Sequence, residues 1–146
     1  LPQFFCSFSS AEDWETFVKV AWFHTKDNHL DVVDDTLYYF DHFNSKILTY
    51  DEGMNLLNEC EITYPTKEDF WQHKIYKDKA LGKFYTIFGS TVNEIDVKTG
   101  KTSAVANANQ WLTEKIIIYK GNLYAVTKKR ASAGVWVSYV ERIVID

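Results

Sequence analysis

The sequence is poor in the residues that mark special-purpose chains. Among its 146 residues are two cysteines, two prolines, six glycines and one methionine. Two cysteines, Cys6 and Cys60, exclude a disulfide-dense scaffold and permit at most one intrachain bridge. Such a bridge would close a long loop and stabilise by about 2–4 kcal/mol; two buried free thiols are the alternative. So little proline and glycine excludes collagenous and low-complexity chains, and no Pro/Gly-rich linker divides the sequence. No run approaches the roughly 18 apolar residues of a membrane helix. Histidine is scarce, and neither a Gly-rich phosphate loop nor a nucleophile elbow occurs.

These absences bear on chemistry. His24 and His29, with Asp27 and Asp31, come nearest to a ligand cluster, but their spacing fits no common zinc pattern. The acidic run 27–35 lacks the central glycine and the bidentate glutamate of a calcium loop. The carboxylate pairs Glu59/Glu61 and Glu94/Asp96 each point to one face of a strand, where a solvent-facing edge explains them. Neither cysteine has a histidine nearby in sequence to activate it. The expectation is a protein that is not an enzyme and holds no metal or cofactor.

What is present points to a sheet protein. Hydrophobic residues make up 46% and charged residues 25%, the balance of a folded globular domain. Ten Phe, nine Tyr and five Trp supply rings that suit pleated surfaces and binding faces alike. Charge is unevenly placed. Residues 1–70 carry 14 acidic and 4 basic side chains, a net of −10, and residues 71–146 carry 6 acidic and 12 basic, a net of +6. That asymmetry favours head-to-tail association or an anionic partner on one side. The pI of about 5.5 argues against nucleic acid. The opening Leu1-Pro2-Gln3 reads as the mature start of a secreted chain or as a piece of a longer one.

Along the chain, Ser10 caps a short apolar stripe of Trp14, Phe17, Val18, Ala21 and Trp22 with helical spacing, within an N-terminal segment of residues 1–29. A β-rich reading of 17–23 competes with it. From residue 30 on, strands are expected at Leu30–Val33, Thr36–Phe40, Lys46–Tyr50, Asn55–Tyr64, His73–Lys77 and Lys83–Phe88. Five more follow at Thr91–Val97, Thr102–Ala106, Lys115–Tyr119, Asn122–Lys128 and Val135–Ile145. Asp34-Asp35, Gly89-Ser90, Lys98-Thr99-Gly100 and Lys120-Gly121-Asn122 supply the turns.

A Trp leads to an apolar-Tyr pair three times: Trp22 to Leu37-Tyr38, Trp71 to Phe84-Tyr85, and Trp111 to Leu123-Tyr124. The tyrosines lie 47 and 39 residues apart, a period that signals one supersecondary unit repeated. The chain is therefore expected to be one repeat-built domain, 1–146, with repeats over 30–70, 71–110 and 111–146. The fold class is all-β, with antiparallel four-stranded meanders the size of propeller blades.

The hairpins Glu94–Lys101 and Lys120–Val126 resemble those of β-propeller repeat proteins of the tectonin and tachylectin type, over residues 30–146. The resemblance implies blades acting together as a lectin. Three blades fall short of the typical four to eight of a ring, so self-association or association with further blades is implied. A β-trefoil is the first alternative, although Gln110 directly abuts Trp111 and the trefoil Gln-x-Trp spacing is not met. The second is an up-and-down barrel with a short N-terminal helix.

The function expected is non-enzymatic binding of glycans or another protein. Carbohydrate sites are placed at Trp71, Tyr85, Trp111 and Tyr124, with Asn107 and Asn109 beside them. An anionic-ligand site is placed at Lys128, Lys129 and Arg130. The alternatives are a lipocalin-like carrier of an apolar small molecule and a subunit of an interaction propeller.

Overall fold

The computed structural model describes residues 28–66, 70–108 and 113–145. The expected N-terminal helix, Trp22 and Trp111 lie outside these residues. The described chain is all-β and contains no helix.

Among the described residues eleven strands form three antiparallel sheets, each a simple meander. The first sheet is β1 (His29–Val33), β2 (Thr36–Asp41), β3 (Lys46–Tyr50) and β4 (Leu56–Glu61), hydrogen-bonded in that order. The second is β5 (Trp71–Asp78), β6 (Lys83–Phe88), β7 (Thr91–Asp96) and β8 (Lys101–Asn107). The third has three strands, β9 (Thr113–Tyr119), β10 (Asn122–Ser132) and β11 (Val135–Val144).

Turn chemistry sets these registers. Asp34 and Asp35 both take positive φ, the pattern of a two-residue I′ hairpin, and Val33 pairs with Thr36 across them. Lys120 and Gly121 repeat the device between Tyr119 and Asn122. In the β7–β8 turn the Asp96 carboxylate accepts from Lys98 N (2.9 Å) and Thr99 Oγ1 (2.7 Å), an Asx turn.

The sheets stack face to face in chain order. Val33, Phe40, Ile47, Trp71, Ile75, Phe84 and Ile95 fill the space between the first and second. Tyr76, Tyr85, Ile87, Val92, Ile116, Ile118, Leu123 and Ala125 fill that between the second and third. The second sheet is thus covered on both faces, which is why β6 buries four consecutive residues instead of alternating. The stacked arrangement differs from the up-and-down barrel considered from sequence, because no sheet curls round to meet itself.

Strand alternation explains the apolar-Tyr pair. Tyr38 points forward from the first sheet, and its ring lies 4.9 Å from that of Phe84, which points backward from the second. Tyr85 points forward into the second core, where Leu123 points backward to meet it. Phe84-Tyr85 therefore grips both neighbours, while Leu37-Tyr38 and Leu123-Tyr124 each grip the second sheet. The period in the sequence is a packing period.

Sheet-to-sheet polar contacts follow the same order. The buried Asp78 accepts from Ala80 N (3.0 Å) and Leu81 N (3.3 Å) in its own turn, and from Gly121 N (2.7 Å) in the third sheet. Thr63 donates its N–H (3.1 Å) and Oγ1 (3.0 Å) to the Gly100 carbonyl, joining the first sheet's exit to the second's last turn. Lys77 reaches back to Asp31 as an ion pair between sheets.

Candidate binding surface

The residues expected to form repeated aromatic platforms do not share a surface. Trp71 is 3% exposed and Tyr85 1% exposed. Trp71 donates from Nε1 to Thr86 Oγ1 at 2.7 Å, and Thr86 Oγ1 donates onward to the Lys74 carbonyl at 3.0 Å. Its ring lies 4.6 Å from His42 and 4.5 Å from His73, and His42 Nε2 is 2.8 Å from the buried Tyr64 hydroxyl. This knot holds the first and second sheets together. Burial pushes the Tyr64 hydroxyl far above the ordinary tyrosine range, with Cys60 adding to the shift. Tyr85 is pushed up to about 12 by burial, with Glu94 and Asp78 adding to it. As platforms for sugar rings, Trp71 and Tyr85 are corrected to core residues.

The remaining sites divide. Asn107 sits exposed at the end of β8, its side-chain oxygen 3.4 Å from Thr91 Oγ1. Asn109 and Trp111 lie outside the described residues. Tyr124 is half-buried on the forward face of the third sheet. Cys60 carries a free thiol, with Sγ 3.3 Å from the Val97 carbonyl; Cys6 lies outside the described residues. Burial raises the Cys60 thiol, with Asp96 contributing. Cys60 also joins Asn44, Ser45, Lys46, Glu59 and Glu61 in lining a shallow depression of about 280 Å³.

The other chemistry-bearing groups are taken up by structure. Lys46 pairs with Glu59 and Lys83 with Glu94. His29 Nε2 lies 3.4 Å from Asp31 Oδ2, and Asp31 is held by Lys77. Burial lowers the His29 imidazole, opposed by Asp31. Burial works to raise Asp31, but hydrogen bonds from Lys77 and the Val32 N–H bring it below the ordinary carboxylate range. His24 and Asp27 lie outside the described residues.

Lys128, Lys129 and Arg130, the expected anionic-ligand site, are exposed and lie on β10. Among the described residues β9 pairs with β10 as far as Thr127, and β10 and β11 continue as a paired ribbon to Ser132 and Val135. Five residues at about 3.3 Å each carry the ribbon roughly 15 Å past the last described pair of β9. A bulge between Arg130 and Ser132 sharpens its twist, and Gly134, at φ +82°, turns it.

All of Lys128–Ser132 and Val135–Val140 are exposed. Lys128 pairs with Ser138 and Arg130 with Trp136 on one face; Lys129 pairs with Val137 on the other, with Tyr139 one step nearer the sheet. Trp136 is 54% and Tyr139 43% exposed. Cations and rings thus alternate on a projecting arm. Trp136 and Tyr139 escape a sequence reading because apolar residues on both parities of β11 read as a buried strand. The one sequence cue is that the β-rich run of β11 is longer than that of β9, which flanks β10 on its other side.

No protein family description matches the chain, and no curated protein sequence matches it.

Proposed function

We propose that this protein is a non-enzymatic binding protein of the β-propeller type, and that its β10–β11 ribbon recognises an anionic glycan. The propeller reading rests on the repeated meander, on face-to-face stacking in chain order, and on the first-hairpin turns stacking in the same order. In that last series a Cβ at Gly82 would lie 3.3 Å from Val33 Cγ1, and one at Gly121 3.6 Å from Leu81 Cδ1. The ligand reading rests on one observation: Lys128, Lys129 and Arg130 stand exposed beside Trp136 and Tyr139 on an arm without a core of its own. Guanidinium and ammonium groups pair with sulfate or carboxylate, while an exposed indole face takes the apolar side of a sugar ring. Such a ligand suits a secreted protein. The carrier reading is weaker, because a carrier needs a hollow and side chains fill the spaces between the sheets.

Calorimetric titration with heparin, desulfated heparin and dextran tests the proposal. Heparin should bind, desulfated heparin about tenfold or more weakly, and dextran not at all; salt should weaken the first. Replacing Lys128, Lys129 and Arg130 together by Gln should abolish the sulfate preference, and Trp136→Ala should weaken binding about tenfold. Heparin binding untouched by both changes, or absent from the wild type, would refute the reading.

A further inference from the structure

We infer that the forward face of the third sheet docks onto the backward face of the first sheet of a second copy of this chain, so that two copies close on each other. The inference concerns the sheet faces and is independent of the ribbon's ligand.

Three observations carry it. The first is equivalence. Tyr38 and Phe40 cover the forward face of β2, Tyr85 and Ile87 that of β6, and Tyr124 and Val126 that of β10. The first two sets are buried by the next sheet. The third set has no described sheet over it, and Ile117, Tyr119, Val140 and Val144 around it are exposed. On the backward side, Phe84 and Leu123 are buried by the preceding sheet. Their counterpart Leu37 instead lies among the exposed Leu30, Val32 and Leu56. The end faces therefore carry the two halves of a contact that the molecule already makes twice internally, and Tyr124 would meet Leu37 of the second copy as Tyr38 meets Phe84.

The second is charge. Residues 28–66 hold eight acidic side chains and one basic, a net of −7, and residues 113–145 hold two acidic and six basic, a net of +4. Lys115 and Arg142 lie on the forward face of the third sheet, and Glu59 and Glu61 on the backward face of the first. The internal turn contacts extend the match. As the Gly82 turn lies next to Val33 and the Gly121 turn next to Leu81, each within reach of an added Cβ, the next position in the series brings Lys120 to the Asp34-Asp35 turn of the second copy. Like faces would repel and unlike faces attract, so the contact is head-to-tail.

The third is size. The smaller of the two faces, three strands of six or seven residues, covers roughly 300 Å², so two interfaces cover roughly 1,200 Å² in projection, near the range of stable dimers. Three sheets from each copy give six, inside the typical range for a closed ring of blades.

Sedimentation equilibrium of the 146-residue chain should give the mass of two chains. Leu30 is 60% and Val140 68% exposed, so Leu30→Lys and Val140→Glu should each leave the fold intact, as checked by circular dichroism. Each should weaken association at least about tenfold by setting a charge against a face of its own sign. An equimolar mixture of the two variants should associate more tightly than either alone, because the pair still offers one intact forward face and one intact backward face. A single-chain mass for the wild type at every concentration overturns the inference. So does a dimer that neither substitution weakens, or a mixture that associates no more tightly than either variant alone while both remain folded.

Discussion

Replacing Gly100 by Ala isolates how tightly the first two sheets interlock. Gly100 sits at φ +70°, and a Cβ there would lie 1.9 Å from the Glu61 carbonyl oxygen and 2.8 Å from its carbon. Both obstacles are backbone, so no side chain can swing aside. The left-handed conformation alone costs about 1–2 kcal/mol for alanine. Relief of the overlap requires the 61–63 segment to withdraw, which breaks the two bonds from Thr63 to the Gly100 carbonyl. At about 0.5–1.5 kcal/mol each, the total loss is about 2–5 kcal/mol. Gly89 is the internal control: its φ is +56°, yet a Cβ there meets nothing within 4 Å. Gly89→Ala should therefore lose only the conformational part, about 1–2 kcal/mol. Urea unfolding of both variants, followed by the fluorescence of the interfacial Trp71, gives the two values. Equal losses would refute the claim that Gly100 is there for close approach and would leave only its φ to explain it.

Further predictions follow from the same contacts. Asp78→Ala removes an acceptor for three N–H groups, two of them in its own turn and one on Gly121. It should cost about 2–4 kcal/mol in urea unfolding, and Asp78→Asn, which keeps an acceptor oxygen, should cost less. His29 is held below its ordinary value of 6.5 by burial, among Asp31, Lys77 and the edge of Phe40. The unfolded chain then takes up the proton first, so stability is fully present above pH 6.5 and falls as pH drops below it. Asp31, held low, adds a second loss only below 3.8. His29→Phe should flatten the unfolding midpoint between pH 7 and 5 and leave the lower-pH loss in place; an unchanged slope would rule His29 out. With Cys6 replaced by Ser, Cys60 should react with iodoacetamide more slowly than a free model thiol at pH 8, and its rate should still be rising at pH 9, because burial raises the thiol above 9.0. An early plateau would contradict that.

Much of the fold was legible in the residues. The Asp34-Asp35 and Lys120-Gly121 turns allow few conformations, and Lys46–Tyr50 and Lys83–Phe88 stand in the structure with the bounds their β-rich runs indicate. Strand ends shift where tertiary contacts compete. The β4 run stops at Glu61 because Ile62 turns inward, giving its N–H to the Ser45 carbonyl, and Tyr64 is drawn to His42. β10 runs on to Ser132 because β11 keeps pairing with it.

The candidate sites were less legible. Trp71 and Tyr85 carry the same side chains whether they line a sugar site or a core, and only the covering sheet decides which. Lys128, Lys129 and Arg130 announced their exposure by charge, whereas that of Trp136 and Tyr139 shows only in the folded ribbon. The sequence by itself determined the strands, the turns and the period, because these rest on local conformational preference and on alternation along one chain. Only the tertiary structure decided which sheet faces are covered, since burial depends on what stands about 10 Å away across the stack and not on the residues alongside.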